Sequence, residues 1–261
     1  PDTRLHLFAQ NLTDDGVRIA YRVEGEGSPV LLAHGFASTH EVNWIATGWM
    51  KALTQAGYRV ILPDMRGHGA SGKPHDKAAY TLSAMAADLA GLLDHLGEPG
   101  ADLMGYSMGA MAALVAAMET PERFDKVVAA GGGAKLLDRS FDDSGRDPGP
   151  VIEALLTDDP SSIEDKGALL FRTFADQNKQ DRVALAACFE AVRAPFPVEG
   201  LSAIKRPVLV VAGETDVQAG AAEPLAERMP KGRAFTVPKR DHMKTVGDRA
   251  YKEAVLEFFA E

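Results

Sequence analysis

Short, continuous apolar runs alternate along this chain with longer stretches in which apolar residues recur every three or four positions. A short continuous run is typical of a strand covered on both faces of a sheet, whereas the longer spacing is typical of an amphipathic helix. The runs predict strands at residues 29–33, 58–62, 101–104, 124–130, 207–212 and 234–238. The periodic stretches predict helices at residues 44–56, 84–96, 110–118 and 248–260. This alternation predicts an α/β fold, with a mostly parallel, twisted sheet flanked by helices on both faces.

Local signals refine the ends of these elements. Gly57 is expected to end the first helix, and Ser83 is expected to be the N-cap of the second. Asp15-Gly16 separates two strand-like runs at residues 5–11 and 17–23, which predicts an antiparallel hairpin at a sheet edge. In the last helix, four apolar residues at helical spacing are expected to face inward: Tyr251, Val255, Leu256 and Phe259.

Residues 135–205 differ in character from the rest of the chain. They contain several prolines and helical patterns near residues 150–157, 162–176 and 180–193. Helices in so short a segment cannot bury their apolar faces alone, so we expect them to pack on the rest of the protein. The segment is therefore interpreted as a helical cap, inserted into a core domain formed by residues 1–134 and 206–261.

Composition and charge limit the partners that this protein can have. The 261-residue chain carries a formal net charge of −9, which argues against binding to nucleic acid or to an anionic membrane surface. Its one cysteine, Cys188, cannot form an intrachain disulfide and is expected to be a small buried residue. No apolar run reaches transmembrane length, and residues 1–10 show no signal-peptide core. We therefore expect a cytoplasmic protein with a small-molecule partner.

The candidate chemistry lies at Gly105-Tyr106-Ser107-Met108-Gly109, between a predicted strand and a predicted helix. A Gly-x-Ser-x-Gly sequence in this setting forms a sharp turn that lifts the serine hydroxyl out of the sheet. Glycines flank the serine because side chains there would clash across so tight a bend. The free N–H groups and positive dipole end of the following helix favour an anion beside Ser107. The motif therefore predicts a nucleophile next to an oxyanion site.

A serine nucleophile needs a base, and the base needs an orienting acid. Sites in open parallel sheets form at the carboxyl ends of strands, which selects the loops after residues 33, 104, 212 and 237. His242 lies just past the last predicted strand, and Asp216 follows the strand before it. Asp241 is a rival acid, but its position directly before His242 gives it a poor geometry for reaching the ring. We therefore predict His242 as the base and Asp216 as the acid.

Several separate motifs resemble those of the α/β-hydrolase fold superfamily, and the resemblance covers essentially the whole chain. They are the turn His34-Gly35-Phe36, a segment at 64–71 that is similar to D-x-R-G-x-G-x-S, the turn at 105–109, Gly213-x-x-Asp216 and Asp241-His242. The chain order serine, aspartate, histidine also matches this superfamily. The resemblance implies an α/β-hydrolase fold and a Ser–His–Asp triad that requires neither a cofactor nor a metal.

The resemblance also implies roles for individual residues. Ser107 would attack an acyl carbonyl, His242 would transfer the proton, and Asp216 would orient the imidazole. The backbone N–H groups of Phe36 and Met108 would form the oxyanion hole. Apolar and aromatic side chains near the site are expected to line the substrate pocket: Phe36, Trp44, Tyr106, Met108 and Met243.

Other polar residues of these motifs resemble structural rather than catalytic positions. His34 and His68 lie in turns that are similar to structural turns of the family, and Asp64 and Arg66 are expected to pair and brace the site. Glu214 comes too early in its loop to match the family's acid. The remaining histidines are expected at the surface or in loops: His6, His40, His75 and His95.

The expected reaction is hydrolysis of small carboxylic esters or lactones through an acyl-enzyme intermediate. Three alternatives keep the same machinery: acyl transfer, cofactor-independent perhydrolase (haloperoxidase) chemistry, and hydrolysis of carbon–carbon bonds. Some family members of the last type carry Asn before the serine, where this chain has Tyr106. Epoxide and haloalkane chemistry in the superfamily uses an aspartate nucleophile, and Ser107 occupies that position here. A ligand receptor on the same fold is the non-enzymatic alternative.

Overall fold

The structure is a computed structural model that describes residues 15–138 and 147–261. Its strands are β1 (Tyr21–Glu24), β2 (Ser28–Ala33), β3 (Tyr58–Pro63), β4 (Ala101–Tyr106), β5 (Phe124–Ala130), β6 (Val208–Gly213) and β7 (Gly232–Val237). They form a seven-stranded sheet in the order β1-β3-β2-β4-β5-β6-β7. Within the described residues β1 alone is antiparallel to its neighbour, and it pairs with β3. The predicted mostly parallel sheet is confirmed.

Helices follow most of the strands. The first group is α1 (Trp49–Gln55), α2 (Leu82–Leu96) and α3 (Met108–Glu119), which alternate with β2 to β5. The second group lies between β5 and β6, and comprises α4 (Ala134–Leu137), α5 (Gly149–Leu156), α6 (Lys166–Gln177) and α7 (Arg182–Ala191). The last group is α8 (Glu223–Ala226), α9 (His242–Thr245) and α10 (Arg249–Ala260). None of the helices in the described residues has both the length and the apolar character needed to cross a bilayer.

The apolar core has two layers, one on each face of the sheet. Leu31 of β2 packs with residues of α2 and α3 on one face, whereas Leu32 packs with residues of α1 and α10 on the other. Successive side chains of a strand point to opposite faces, so a strand covered on both sides must be apolar throughout. Each buried leucine contributes about 1.5–3 kcal/mol to folding. This is why continuous apolar runs located the central strands.

Two helix starts differ from the sequence prediction. The stretch predicted as one helix at residues 44–56 is divided into a π-helical turn at Glu41–Ile45 and α1, because Gly48 between them adopts a left-handed φ of 83°. Ser83 is not the N-cap of α2. Thr81 is the cap, since its side chain accepts a hydrogen bond from the backbone N–H of Ala84, and the Ser83 hydroxyl instead donates to Glu119.

The chain ends also refine the prediction. The first run of the predicted hairpin, residues 5–11, lies outside the described residues, and the second run contributes the edge strand β1. In α10 three of the four predicted inward residues are buried. Leu256 is half-buried instead, and Phe258 takes the fully buried position.

The helices between β5 and β6 pack against the strand–helix core. Cys188 of α7 is fully buried, as predicted, and its Sγ lies 3.7 Å from the Sδ of Met108 at the start of α3. Ala184 and Phe196 belong to the same buried cluster as Met111 of α3. Helix α7 therefore lies against the start of α3, next to the serine turn.

Candidate active site

Ser107 occupies the turn between β4 and α3 in a conformation that non-glycine residues rarely adopt. Its φ is 55° and its ψ is −112°, whereas L-residues strongly prefer negative φ. A Cβ on Gly105 would lie 2.0 Å from the carbonyl oxygen of Gly109, and a Cβ on Gly109 would lie 2.0 Å from that of Ala33. Both glycines are therefore required by close backbone approach, as the sequence predicted. Such a strained serine is typical of a functional position.

The three predicted catalytic side chains form one continuous hydrogen-bonded series. His242 Nε2 lies 3.0 Å from Ser107 Oγ, and His242 Nδ1 lies 2.7 Å from Asp216 Oδ2. The Asp216 side chain is fully buried and the His242 side chain is 11% exposed. A carboxylate only accepts hydrogen bonds, so Nδ1 donates to Asp216, and in the neutral imidazole the Nε2 lone pair then faces the serine hydroxyl. Neutral His242 can therefore accept the Ser107 proton.

The loop after β6 fixes the orientation of the carboxylate. Asp216 Oδ1 accepts hydrogen bonds from the backbone N–H groups of Gln218 and Ala219, at 3.0 Å and 2.9 Å. Its other oxygen is thereby left for the imidazole. The rival acids are engaged elsewhere: Glu214 accepts from the N–H of Lys239, and Asp241 is the N-cap of α9. Only Asp216 among these three carboxylates contacts the ring of His242.

The predicted oxyanion residues lie on the two sides of the serine turn. Met108 is the first residue of α3, where the helix offers no carbonyl to its N–H. On the other side, a Cβ on Gly35 would lie 3.6 Å from Ser107 Cβ, which places the turn at 34–38 against the serine. In the described part of the chain the N–H groups of Gly35 and Ala37 have partners, whereas that of Phe36 between them has none. Both N–H groups are thus available to an anion.

Two buried histidines brace this turn. His68 Nε2 accepts from the backbone N–H of Ala37 at 3.0 Å, and His34 Nε2 accepts from that of Met65 at 2.9 Å. Each Nδ1 faces a carbonyl oxygen, of Arg66 and Gly35 respectively. Burial lowers the pKa of His34 to about 4 and that of His68 to about 3, so both rings are neutral near pH 7. With both nitrogens occupied, neither ring is free to serve as the base.

The polar residues of segment 64–71 pair differently from the prediction. Arg66 does not pair with Asp64 but donates to Asp88 at 2.7 Å, and it also pairs with Asp15. Asp64 instead lies 2.7 Å from the ring of His40, which is buried rather than at the surface. Burial alone would raise the pKa of Asp64, but the hydrogen bond from His40 and the nearby His34 lower it to about 2. Asp64 is therefore an ionised structural group.

The structure brings only some of the predicted pocket residues to the site. The half-buried ring of Phe36 packs on Phe171 and Phe189, with centroids 5.8 Å and 5.2 Å away. Met108 contacts Cys188, and Met243 is 62% exposed beside the base. Trp44, however, is 0% exposed and packs on Trp49 in the core layer of α1 and α10. Trp44 is therefore part of the apolar core and is not available to line a substrate pocket.

Tyr106 is also displaced from its predicted role. Its hydroxyl donates to the backbone carbonyl of His242, so it lies behind the base and does not line a pocket. Gly131, which the sequence reasoning missed, makes room for this pair: a Cβ there would lie 3.1 Å from His242 Cε1. The sequence feature that could have indicated Gly131 is the glycine run directly after β5. Among the described residues no group of three or more His, Cys, Asp or Glu side chains is arranged to hold a metal ion.

Comparison with known proteins identifies the family to which this fold belongs. The model of the α/β-hydrolase fold family matches residues 28–180. The 3-oxoadipate enol-lactonase 2 of Acinetobacter baylyi is 30% identical over 218 residues, which are 80% of this chain and 80% of that protein. This chain belongs to the α/β-hydrolase fold family.

Further relatives differ in coverage and in named activity. An epoxide hydrolase of Caballeronia sordidicola is 40% identical over 117 residues, but these are 45% of this chain and only 35% of that protein. A hydrolase from Pseudomonas aeruginosa shares 26% identity with a TM-score of 0.79 over 100% of both chains. An esterase from Exiguobacterium antarcticum has a TM-score of 0.79 at 22% identity, over 95% of this chain and 97% of that one, which shows the fold alone.

Proposed function

We propose that this protein is a serine hydrolase that cleaves small carboxylic esters or lactones through an acyl-enzyme intermediate on Ser107. The observation that carries this proposal is the placement of His242 between Ser107 Oγ at 3.0 Å and Asp216 Oδ2 at 2.7 Å. A serine hydroxyl becomes a useful nucleophile when an oriented neutral base can take its proton. Acyl transfer is the chemistry that such an arrangement serves.

The proposed reaction has two halves. Ser107 Oγ forms a bond to the substrate carbonyl carbon while its proton moves to His242 Nε2. The tetrahedral oxyanion is held by the N–H groups of Phe36 and Met108, and each such donor is worth about 3–4 kcal/mol of transition-state stabilisation. His242 then protonates the departing alkoxide as the carbon–oxygen bond breaks. Water, activated by His242, attacks the acyl group and releases the carboxylic acid and free Ser107.

Residues 135–205 act as a cap in this proposal. Helix α7 of this segment contacts both residues that would supply the oxyanion N–H groups, through Phe189 to Phe36 and through Cys188 to Met108. The walls supplied by α6 and α7 are aromatic and apolar, because Phe171 and Phe189 also pack on each other at 5.5 Å. An apolar acyl group matches such walls better than a charged one.

The choice of an ester or lactone over an epoxide depends on the nucleophile. Epoxide hydrolysis in this superfamily resembles the present chemistry but uses an aspartate, and this chain has Ser107 at that position. The enol-lactonase relative matches 80% of each chain, whereas the Caballeronia epoxide hydrolase match spans 35% of that protein. Both observations favour acyl chemistry.

The test is a p-nitrophenyl ester series of increasing acyl length, with wild type and Ser107→Ala measured side by side. We expect multiple turnovers by wild type and a loss of at least about 10⁴-fold in kcat for the variant. A fluorophosphonate should label wild-type Ser107 and leave the variant unlabelled. Retained ester turnover in Ser107→Ala, or wild-type turnover of epoxides without turnover of esters or lactones, would overturn the proposal.

A further inference from the structure

Gln180 connects the helical segment between β5 and β6 to the two loops that frame the serine. It follows α6, lies directly before the N-cap of α7, and is only 8% exposed. Its Nε2 donates to the carbonyl of Ser38 at 3.0 Å, and its Oε1 accepts from the N–H of Gly69 at 3.1 Å. Both amide atoms are thus used, on loops that lie 142 and 111 residues away along the chain.

These contacts complete a closed series of hydrogen bonds around the oxyanion turn. Ser38 follows Ala37, whose N–H donates to His68, and His68 precedes Gly69, whose N–H donates to Gln180. The hydrogen bond from Gln180 to the Ser38 carbonyl closes the series. Ala37 is held within it at a left-handed φ of 58°, a conformation that needs such support in a non-glycine residue.

The series acts on the peptide group that carries the proposed oxyanion donor. The carbonyl of Gly35 and the N–H of Phe36 belong to one planar peptide unit. The N–H of Ser38 donates to this Gly35 carbonyl at 3.3 Å. When Gln180 fixes Ser38, it therefore joins His34, whose Nδ1 faces the same oxygen at 2.8 Å, in restraining the plane of the 35–36 peptide and the direction of the Phe36 N–H.

An amide is the side chain that these two partners require. The Ser38 carbonyl can only accept a hydrogen bond and the Gly69 N–H can only donate one, so the bridging group must present one donor and one acceptor. A carboxylate would place an oxygen against the Ser38 carbonyl. A thioether of the same length would satisfy neither partner, and unpaired buried polar groups are costly.

We propose that Gln180 is a positioning residue, which aligns the Phe36 N–H with the developing oxyanion and makes this alignment depend on docking of the helical segment. This inference rests on the proposed serine hydrolase function. Two charged links between α7 and the core, Lys77–Glu190 and His75–Asp181, are exposed ion pairs without contact to the turn at 34–38. Pairs of that kind contribute little, whereas the buried amide adds a directional link to this turn, beside the apolar contact of Phe189 with Phe36.

The first experiment compares Gln180→Met with Gln177→Met, an exposed position near the end of α6 that receives the same chemical change. Each is assayed on an ester and on the corresponding thionoester, whose sulfur is a poorer acceptor for oxyanion-hole donors. We expect Gln180→Met to lose about 10- to 100-fold in kcat on the ester, with KM little changed and a reduced ester-to-thionoester rate ratio. Gln177→Met should match wild type in kcat, in KM and in the ester-to-thionoester rate ratio.

The second experiment uses Gln180→Glu and covers the case in which the methionine variant does not fold. A protonated carboxyl again presents a donor and an acceptor, and burial favours the protonated form. The ratio of variant to wild-type kcat should therefore rise as pH falls from 7 to 5, while Gln177→Glu shows a constant ratio. An unchanged thionoester ratio, or a flat pH dependence for Gln180→Glu, would overturn the positioning role. Wild type without Ser107-dependent ester turnover would instead refute the hydrolase proposal itself.

Discussion

The hydroxyl of Tyr106 donates a hydrogen bond to the backbone carbonyl of His242, with an oxygen–oxygen distance of 2.5 Å, and the centroids of the two rings lie 5.5 Å apart. The residue directly before the proposed nucleophile thus holds the main chain of the proposed base, although the two are 136 residues apart in sequence. Burial raises the pKa of the Tyr106 phenol, so it remains a donor at any working pH. The strand that carries Ser107 and the loop that carries His242 are therefore fixed to each other.

Removing this hydrogen bond is expected to loosen the base without altering substrate binding. Tyr106→Phe leaves the His242 carbonyl without its buried partner, which costs about 1–3 kcal/mol of unfolding free energy. We expect a lower kcat and an unchanged KM, because Tyr106 lies behind the base. Urea denaturation and ester kinetics measure both effects. Tyr251→Phe is the matched control, since that hydroxyl donates to the thioether of Met104, a weak acceptor.

Asp216→Asn should preserve the loop and impair the base. The backbone N–H groups of Gln218 and Ala219 will keep the oxygen of the new amide, so its NH2 group must face His242 Nδ1. That reverses the tautomer and puts a proton on Nε2, where the lone pair is needed. We expect a loss of about 10³–10⁴-fold in kcat near pH 7. Glu214→Gln and Asp241→Asn should remain active, and an equal loss in either would reassign the acid.

The strained backbone of Ser107 predicts that glycine at this position makes the folded protein more stable than alanine does. Glycine adopts a φ of 55° freely, and relief of such strain is worth about 1–3 kcal/mol. The greater freedom of glycine in the unfolded chain offsets about 0.4–1 kcal/mol. Ser107→Gly should therefore unfold at a higher urea concentration than Ser107→Ala, with both variants inactive. If Ser107→Ala is the more stable of the two, the turn stores no strain.

The buried histidines predict a specific pH dependence of stability. The pKa of His68 is about 3 in the folded chain, whereas an unfolded histidine binds its proton near pH 6.5. Between these values the unfolded state holds more protons, so stability falls as pH decreases from 6.5 toward 3, by up to about 1.4 kcal/mol per pH unit. His34 acts in the same direction. Asp88 and Asp102 have the opposite effect on the pH dependence of stability, because burial raises the pKa of each to about 6.

A variant isolates the contribution of His68 from these other groups. His68→Gln keeps an acceptor near the Ala37 N–H but does not titrate. The unfolding free energy of wild type minus that of His68→Gln should therefore shrink steadily from pH 6.5 to pH 4.5, as measured by urea denaturation at each pH. A difference that stays constant would mean that His68 is not neutral in the folded protein.

The aromatic cluster of Phe36, Phe171 and Phe189 should set the preferred acyl length of the proposed hydrolase. Phe171 on α6 is half-buried and packs on Phe36 at 5.8 Å, beside the proposed oxyanion donor. Phe171→Ala removes that wall, so we expect the optimum of the p-nitrophenyl ester series to shift to longer chains. Phe235→Ala, at a half-buried position on the edge strand β7, should leave the optimum unchanged.

Elements buried on both faces were predicted well because burial leaves a local record in the sequence. The run at 124–130 coincides with β5, and the central strands carry uninterrupted apolar residues. Helix boundaries were harder to predict, since Gly48 lies inside an apolar stretch whose pattern otherwise predicts one helix. Ser83 and Thr81 are both acceptable N-caps by residue type, and only the backbone geometry distinguishes them.

For the site, the sequence located the residues that motifs describe and missed those that depend on the packing of distant loops. Ser107, Asp216 and His242 each follow a strand, so the sheet brings them together as expected. Trp44 was misplaced because nearness in sequence to Phe36 does not determine which layer of the core a side chain enters. Gln180 carries no motif, and its partner Ser38 is 142 residues away.

The strand order has a consequence for protein synthesis. The proposed nucleophile Ser107 follows β4 near the middle of the sheet, whereas Asp216 and His242 follow β6 and β7, which are added last at one edge. A nascent chain that has emerged from the ribosome only as far as α7 contains Ser107 and the turn at 34–38, but neither the proposed acid nor the proposed base. Under the proposed mechanism such a chain is inert toward esters. Turnover therefore begins only when the carboxyl-terminal strands have been translated and have joined the sheet.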